Sequence, residues 1–141
     1  MAGLRLGLSL LAVALVCGAT AQRPASPPRM VGAPVTIDNA ENDEGLQQAL
    51  RFAMEKYNEA SNDLYSSRVV RVISAKKQIV AGVKYIMEVE IARTTCEKPA
   101  ADPQNCAFPD SPQLSQHTVC KFVVYVVPWL GKTELLQREC K

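Results

Sequence analysis

Reactive side chains are scarce in this sequence of 141 residues, and those present are better spaced for cross-linking than for catalysis. His117 is the sole histidine and precedes Cys120 by three positions, so a Cys–His nucleophile pair is the first chemistry to consider. Cys120 is better explained as a disulfide partner, and His117 as a surface or strand residue. Glu88 and Glu90 lie two apart on one face of a strand-like run, where solvated carboxylates are expected rather than an acid–base pair. There is no G-x-S-x-G, no phosphate-cradling Gly-rich loop and no dinucleotide fingerprint. Without a C-x-x-C and with a single His, the cysteines lack a zinc-type ligand pattern. The residues therefore predict a protein that is not an enzyme and uses no metal or cofactor.

Binding is better represented than reactivity. Gln78-Ile79-Val80-Ala81-Gly82 separates two runs that read as β-strands, which makes it the turn of a hairpin. Turn tips ordinarily use Gly, Asn, Asp, Ser or Pro for backbone reasons. Here a single Gly comes last, and Ile79 and Val80 are β-branched and apolar. An exposed apolar tip of this kind predicts a contact surface whose burial a partner supplies. Pro128-Trp129-Leu130-Gly131 reads as a second hairpin turn with a large aromatic at its tip. Met30-Val31-Gly32 places two apolar residues before a flexible one in an arm otherwise dominated by Pro24, Pro27, Pro28 and Pro34.

The chain ends bound the setting in which these surfaces work. One positive charge, Arg5, precedes an apolar run from Leu6 to Val16, and Ala19-x-Ala21 has the small-residue pattern of a signal-peptidase site. Residues 1–21 are expected to be a signal peptide, because the apolar run is too short to span a bilayer. Residues 22–141, about 120 in number, are expected to form one secreted domain with a flexible arm over roughly 22–33. Arg5 is the only charge removed, so the mature chain carries nearly balanced charges, and neither nucleic acid nor membrane is an expected partner. Cys17 leaves with the signal peptide. Cys96, Cys106, Cys120 and Cys140 remain, an even set suited to an oxidising compartment, with three pairings open. Cys96–Cys106 and Cys120–Cys140 are preferred, since each then closes a local loop. No N-x-S/T site is present.

The elements that must position the tips follow from periodicity. Pro34 to Ile37 can form a short strand, and Asn42 or Asp43 can cap a helix. Leu46, Ala49, Leu50, Ala53, Met54 and Tyr57 recur at helical spacing, with Gln47, Gln48, Arg51, Glu55 and Asn58 mostly on the other side. Arg68 to Ala75 is Val/Ile-rich, and apolar residues alternate from Val83 to Ile91. Thr94 to Thr118, with four prolines, is expected to be irregular. Val119 to Val127 and Thr133 to Glu139 complete a second hairpin whose far ends carry Cys120 and Cys140. The sum is an α+β domain, one long helix packed across a twisted antiparallel sheet. In such a meander the turns at 78–82 and 128–131 fall at the same end.

Gln78-x-Val80-x-Gly82 resembles the Q-x-V-x-G loop of the cystatins, inhibitors of papain-like cysteine proteases. With Gly32 upstream of the helix, Pro128-Trp129 in the second hairpin and four late cysteines, the chain resembles the secreted type 2 cystatins. Glu44 to Cys96 and Phe122 to Cys140 look especially like egg-white cystatin. The resemblance implies a reversible, tight-binding competitive inhibitor of cathepsin-type proteases that inserts a three-part wedge into the active-site cleft. Met30, Val31 and Gly32 would lie in the unprimed subsites, Gln78, Ile79, Val80, Ala81 and Gly82 in the middle, and Pro128 and Trp129 on the primed side.

Ser61-Asn62-Asp63 resembles the S-N-D segment with which some secreted cystatins block legumain, although turn chemistry alone also accounts for it. A cystatin-like fold can instead serve as a non-inhibitory binding or precursor module, and the intact Q-x-V-x-G loop speaks against that alternative. A poor turn between two long strands also invites domain swapping, which would bury the wedge. An active monomer and an inactive swapped dimer are therefore expected.

Overall fold

The computed structural model describes residues 32–141. Residues 1–31, which include the expected signal peptide, Met30 and Val31, lie outside the described residues. Strand β1 (Val35–Thr36) is followed by a 3₁₀ turn at Ala40–Asn42, helix α1 (Glu44–Ala60), and the long strands β2 (Tyr65–Val80) and β3 (Gly82–Glu97). A 3₁₀ turn at Pro103–Asn105 and short helix α2 (Pro112–Ser115) precede β4 (Thr118–Val127), a 3₁₀ turn at Pro128–Leu130, and β5 (Lys132–Cys140). The five strands form one antiparallel sheet in the order of the sequence. This is the α+β architecture expected from the periodicities.

Helix α1 begins where its cap allows. Asp43 is the N-cap, and its Oδ1 accepts from the Leu46 amide at 2.9 Å, satisfying one of the orphan donors of the first turn. Leu46, Ala49, Leu50, Ala53 and Met54 are buried against Tyr85, Met87, Val89 and Ile91 of β3 and Cys120, Phe122 and Val124 of β4. Burying each Leu, Met or Phe stabilises the domain by about 1.5–3 kcal/mol. Tyr57 meets Phe122 edge-on, with centroids 6.4 Å apart. The helix comes close to the sheet at Gly45, where a Cβ would collide with the Tyr85 hydroxyl. Burial, followed by the nearby Asp43 carboxylate, raises the Tyr85 phenol above its ordinary pKa, so this hydroxyl stays neutral at the helix start.

Three expectations need correction. Asn58 belongs to the buried side of α1: its Nδ2 donates to the Ser67 carbonyl at 3.0 Å and its Oδ1 accepts from the Ser67 amide at 2.8 Å. A carboxamide that serves both backbone groups of one strand residue can be buried without an unsatisfied atom. The segment 94–118 is less irregular than its prolines suggest, since β3 continues to Glu97 and α2 interrupts the rest. The five-residue turn at 78–82 also shrinks. Gln78, Ile79 and Val80 pair with Lys84, Val83 and Gly82, which leaves Ala81 alone at the tip. The β-branched side chains of Ile79 and Val80 favour continuing the ladder over turning, so the strands run almost to the end of the hairpin.

Candidate functional site

Two hairpin tips and one N-terminal segment converge at one end of this sheet. The first tip is built around Gly82, whose φ of +121° no other residue adopts without strain. Space demands glycine as well, because a Cβ there would meet the Val126 carbonyl at 2.7 Å and the Tyr125 ring at 3.0 Å. The Tyr125 hydroxyl donates to the Ala81 carbonyl. The tip therefore lies flat on the end of β4, two residues before β4 gives way to Pro128. Gly32 is held at the same place from the other side: its amide donates to the Ile79 carbonyl at 2.9 Å, and the Gln78 Nε2 donates to the Gly32 carbonyl at 3.0 Å.

Several large apolar side chains are exposed at this end. Ile79 is 52% exposed, Trp129 69% and Leu130 67%, with Pro128 and Ala81 also exposed. Large apolar groups this open are ordinarily singletons on a monomer, and their convergence on one edge marks a contact surface. Val80 is half-buried and Gly82 buried, so within this segment Ile79 presents the largest exposed side chain. Leu130 extends the apolar edge beyond Pro128 and Trp129. Its position in the turn was its only signal in the sequence.

The residues Ser61, Asn62 and Asp63 lie elsewhere, between the end of α1 and the start of β2, far from the hairpin tips. Asn62 is exposed, and the turn around it is held by charge. The Asp63 carboxylate accepts from the Tyr65 amide at 3.0 Å and from Arg93 Nε at 2.8 Å, and the Asp63 amide donates to Ser61 Oγ. Burial opposes its ionisation, but the Tyr65 and Arg93 hydrogen bonds and the positive charges of Arg93 and Lys98 hold its carboxyl below the ordinary value. Lys98 Nζ donates to the carbonyls of Asn58 at 2.9 Å and Ser61 at 2.8 Å, closing the C-terminal end of the helix with a cation.

The candidate reactive side chains Cys120, His117, Glu88 and Glu90 are each bonded to a partner or exposed. Cys120 is joined to Cys140, directly opposite it in the β4–β5 register, and Cys96 is joined to Cys106. His117 Nδ1 lies 2.5 Å from Glu90 Oε2, and Arg71 Nε donates to Glu90 Oε1 at 2.8 Å. Glu90 is thus engaged by two partners rather than merely solvated. The hydrogen bond with His117, then that with Arg71, lowers its carboxyl pKa. Glu88 remains exposed.

Comparison with known proteins is consistent across sequence and structure. Residues 32–129 match the family model for the cystatin domain. The chain is 55% identical over 141 residues to cystatin of Gallus gallus, covering all of both chains. It is 47% identical over 135 residues to cystatin-C of Homo sapiens, covering 95% of this chain and 91% of that protein. The structure of dimeric human cystatin F is similar with a TM-score of 0.71 at 37% identity, covering 89% of this chain and 96% of that one. A salivary cystatin of the soft tick Ornithodoros moubata, 23% identical with a TM-score of 0.62, shares the fold.

Proposed function

This chain belongs to the cystatin family, and from that premise we propose that it is a secreted, reversible, tight-binding competitive inhibitor of papain-like cysteine proteases. The observation that carries the reading is the convergence of Gly32, the Ile79–Gly82 tip and Pro128–Trp129–Leu130 on one apolar edge. Such an edge fits a cleft whose floor holds a thiolate. Met30 and Val31 occupy the unprimed subsites, with Gly32 as the hinge. Gln78 to Gly82 fill the middle, and Pro128 and Trp129 rest on the primed side.

Burial of the exposed half of Ile79 supplies about 1 kcal/mol, and an aromatic anchor such as Trp129 supplies about 2 kcal/mol or more. Inhibition of this kind needs no chemical step, because the wedge excludes substrate without offering the thiolate a scissile carbonyl. Residues 1–21 are the signal peptide in this reading, and the active species is the monomer. A swapped dimer that straightens the first tip buries the wedge and does not inhibit. Titration of papain with residues 22–141 tests the proposal: stoichiometric, reversible, substrate-competitive inhibition is expected, and full activity at excess protein would overturn it.

Asn62 supports a second inhibitory site. It stands exposed on a turn held by Asp63, Arg93 and Lys98 at the other end of the β2–β3 ladder. A legumain-type protease that selects asparagine would take this turn. Because strands of 16 residues span about 50 Å, the two sites are far enough apart to be occupied together.

A further inference from the structure

The inhibitory edge is made of three separate pieces of chain, and two side chains tie them together. Gln78 lies in β2 opposite Lys84, yet its carboxamide crosses to the N-terminal segment and donates to the Gly32 carbonyl at 3.0 Å. The Gly32 amide in turn donates to the Ile79 carbonyl at 2.9 Å. Both backbone groups of Gly32 are therefore committed to the first hairpin, which sets the direction in which the arm leaves it. Glutamine suits this position because it combines a donor with the necessary reach. Asn is one methylene short, and a Glu carboxylate would face the carbonyl oxygen with no proton to donate.

Tyr125 makes the second tie. Its ring lies on Gly82, and its hydroxyl donates to the Ala81 carbonyl. Tyr125 stands on β4 two residues before Val127, where that strand passes into the turn carrying Trp129. The hydroxyl therefore fastens the first tip to the strand that carries the second.

We infer that Gln78 and Tyr125 are positioning residues: Gln78 braces the arm to the first tip and Tyr125 braces the first tip to the second, so that the edge meets the protease already assembled. The inference rests on the wedge reading above. It assigns the Gln78 side chain an internal role, while the Gln78 backbone remains part of the segment that fills the middle of the cleft. Bracing acts on the free inhibitor. Without a brace, a smaller fraction of molecules holds all three pieces in register, and apparent affinity falls by that fraction, mainly through the association rate.

The test uses residues 22–141 and papain, with Tyr125→Phe, Gln78→Glu and Gln78→Ala as variants. Tyr125→Phe keeps the ring on Gly82 and removes only the hydroxyl. Each variant is expected to raise the inhibition constant about tenfold, with most of the change in association, while the urea midpoint stays near wild type. Amide exchange is expected to quicken at Gly32 in the Gln78 variants and across Ile79–Val83 in Tyr125→Phe. In a chain truncated through Gly32, Gln78→Ala should cause no further loss. An equal loss in the truncated chain would mean that Gln78 touches the protease, and would overturn its role as a brace. Unchanged inhibition with unchanged exchange in Tyr125→Phe would overturn the other brace. If the unmodified protein fails to inhibit papain, the wedge reading fails, while the exchange measurements still report whether the ties hold the three segments together.

Discussion

The two ends of the β2–β3 ladder solve opposite problems. At the hairpin end, apolar side chains are left in water and the backbone beneath them is fixed by neutral hydrogen bonds from Gln78 and Tyr125. At the far end, an exposed polar residue, Asn62, is presented on a turn fixed by charged groups, Asp63, Arg93 and Lys98. The contrast matches what each end would present to a protease in the proposed reading. An apolar edge gains affinity when its surface is removed from water, so the support behind it must not compete with the partner. A lone asparagine gains from directed hydrogen bonds, and a charge-held turn fixes its orientation while leaving the side chain free.

Large changes at the hairpin end are expected to have the greatest effect. Replacing Trp129 by Ala in a chain truncated through Gly32 removes two of the three segments, and inhibition of papain is expected to weaken by at least about a thousandfold, since two anchors of roughly 2 kcal/mol each are lost. Legumain inhibition by the same protein should remain intact, which a parallel assay of both proteases would show. The reciprocal change is Asn62→Ala. It is expected to abolish inhibition of legumain and leave that of papain within about twofold, and retention of legumain inhibition would remove the second site from this account.

Smaller changes sharpen the distinction between the supports. Gly82→Ala forces a Cβ towards the Val126 carbonyl at a positive φ, at a cost of about 1–3 kcal/mol. A lower urea midpoint and weaker papain inhibition are expected together, because fold and tip share that glycine. The smallest effect is electrostatic. The Asp63 carboxyl is held below its ordinary value, so its contribution to the turn is complete above about pH 4 and is lost as pH falls through its lowered folded value. An NMR titration should place its midpoint below that of free aspartate, and Arg93→Ala should move it upward.

Much of this architecture is legible in the chain, because α1 and β3 carry the helical and alternating periodicities and β4 an apolar, Val-rich run that local sequence suffices to express. The supports are less so. Gln78 reaches a residue 46 positions away and Tyr125 one 44 positions away, separations at which no repeat or spacing records a contact. Asn58 looked like part of the solvent face because polar residues usually stand there, and only its pairing with both backbone groups of Ser67 makes burial tolerable. The tip stands where the sequence puts it but is shorter. Ile79 and Val80 read as poor turn residues because they are strand residues, and the turn they were expected to form is reduced to Ala81.

The outer edge of β2 has a consequence for how the protein keeps to itself. β1 covers only Lys76 and Lys77, and neighbouring backbone bonds add Ala75 and Ile79. Further along, the Gln104 carboxamide occupies both backbone groups of Val69. Between these covers, the register with β3 shifts at Val69/Arg71 and again at Val72/Ser74, leaving Val70 and Ile73 exposed and without partners across the ladder. Two bulges within five residues leave no straight run long enough to template an incoming strand. The bulged and partly covered edge is therefore a poor template for an incoming strand from another copy of the chain.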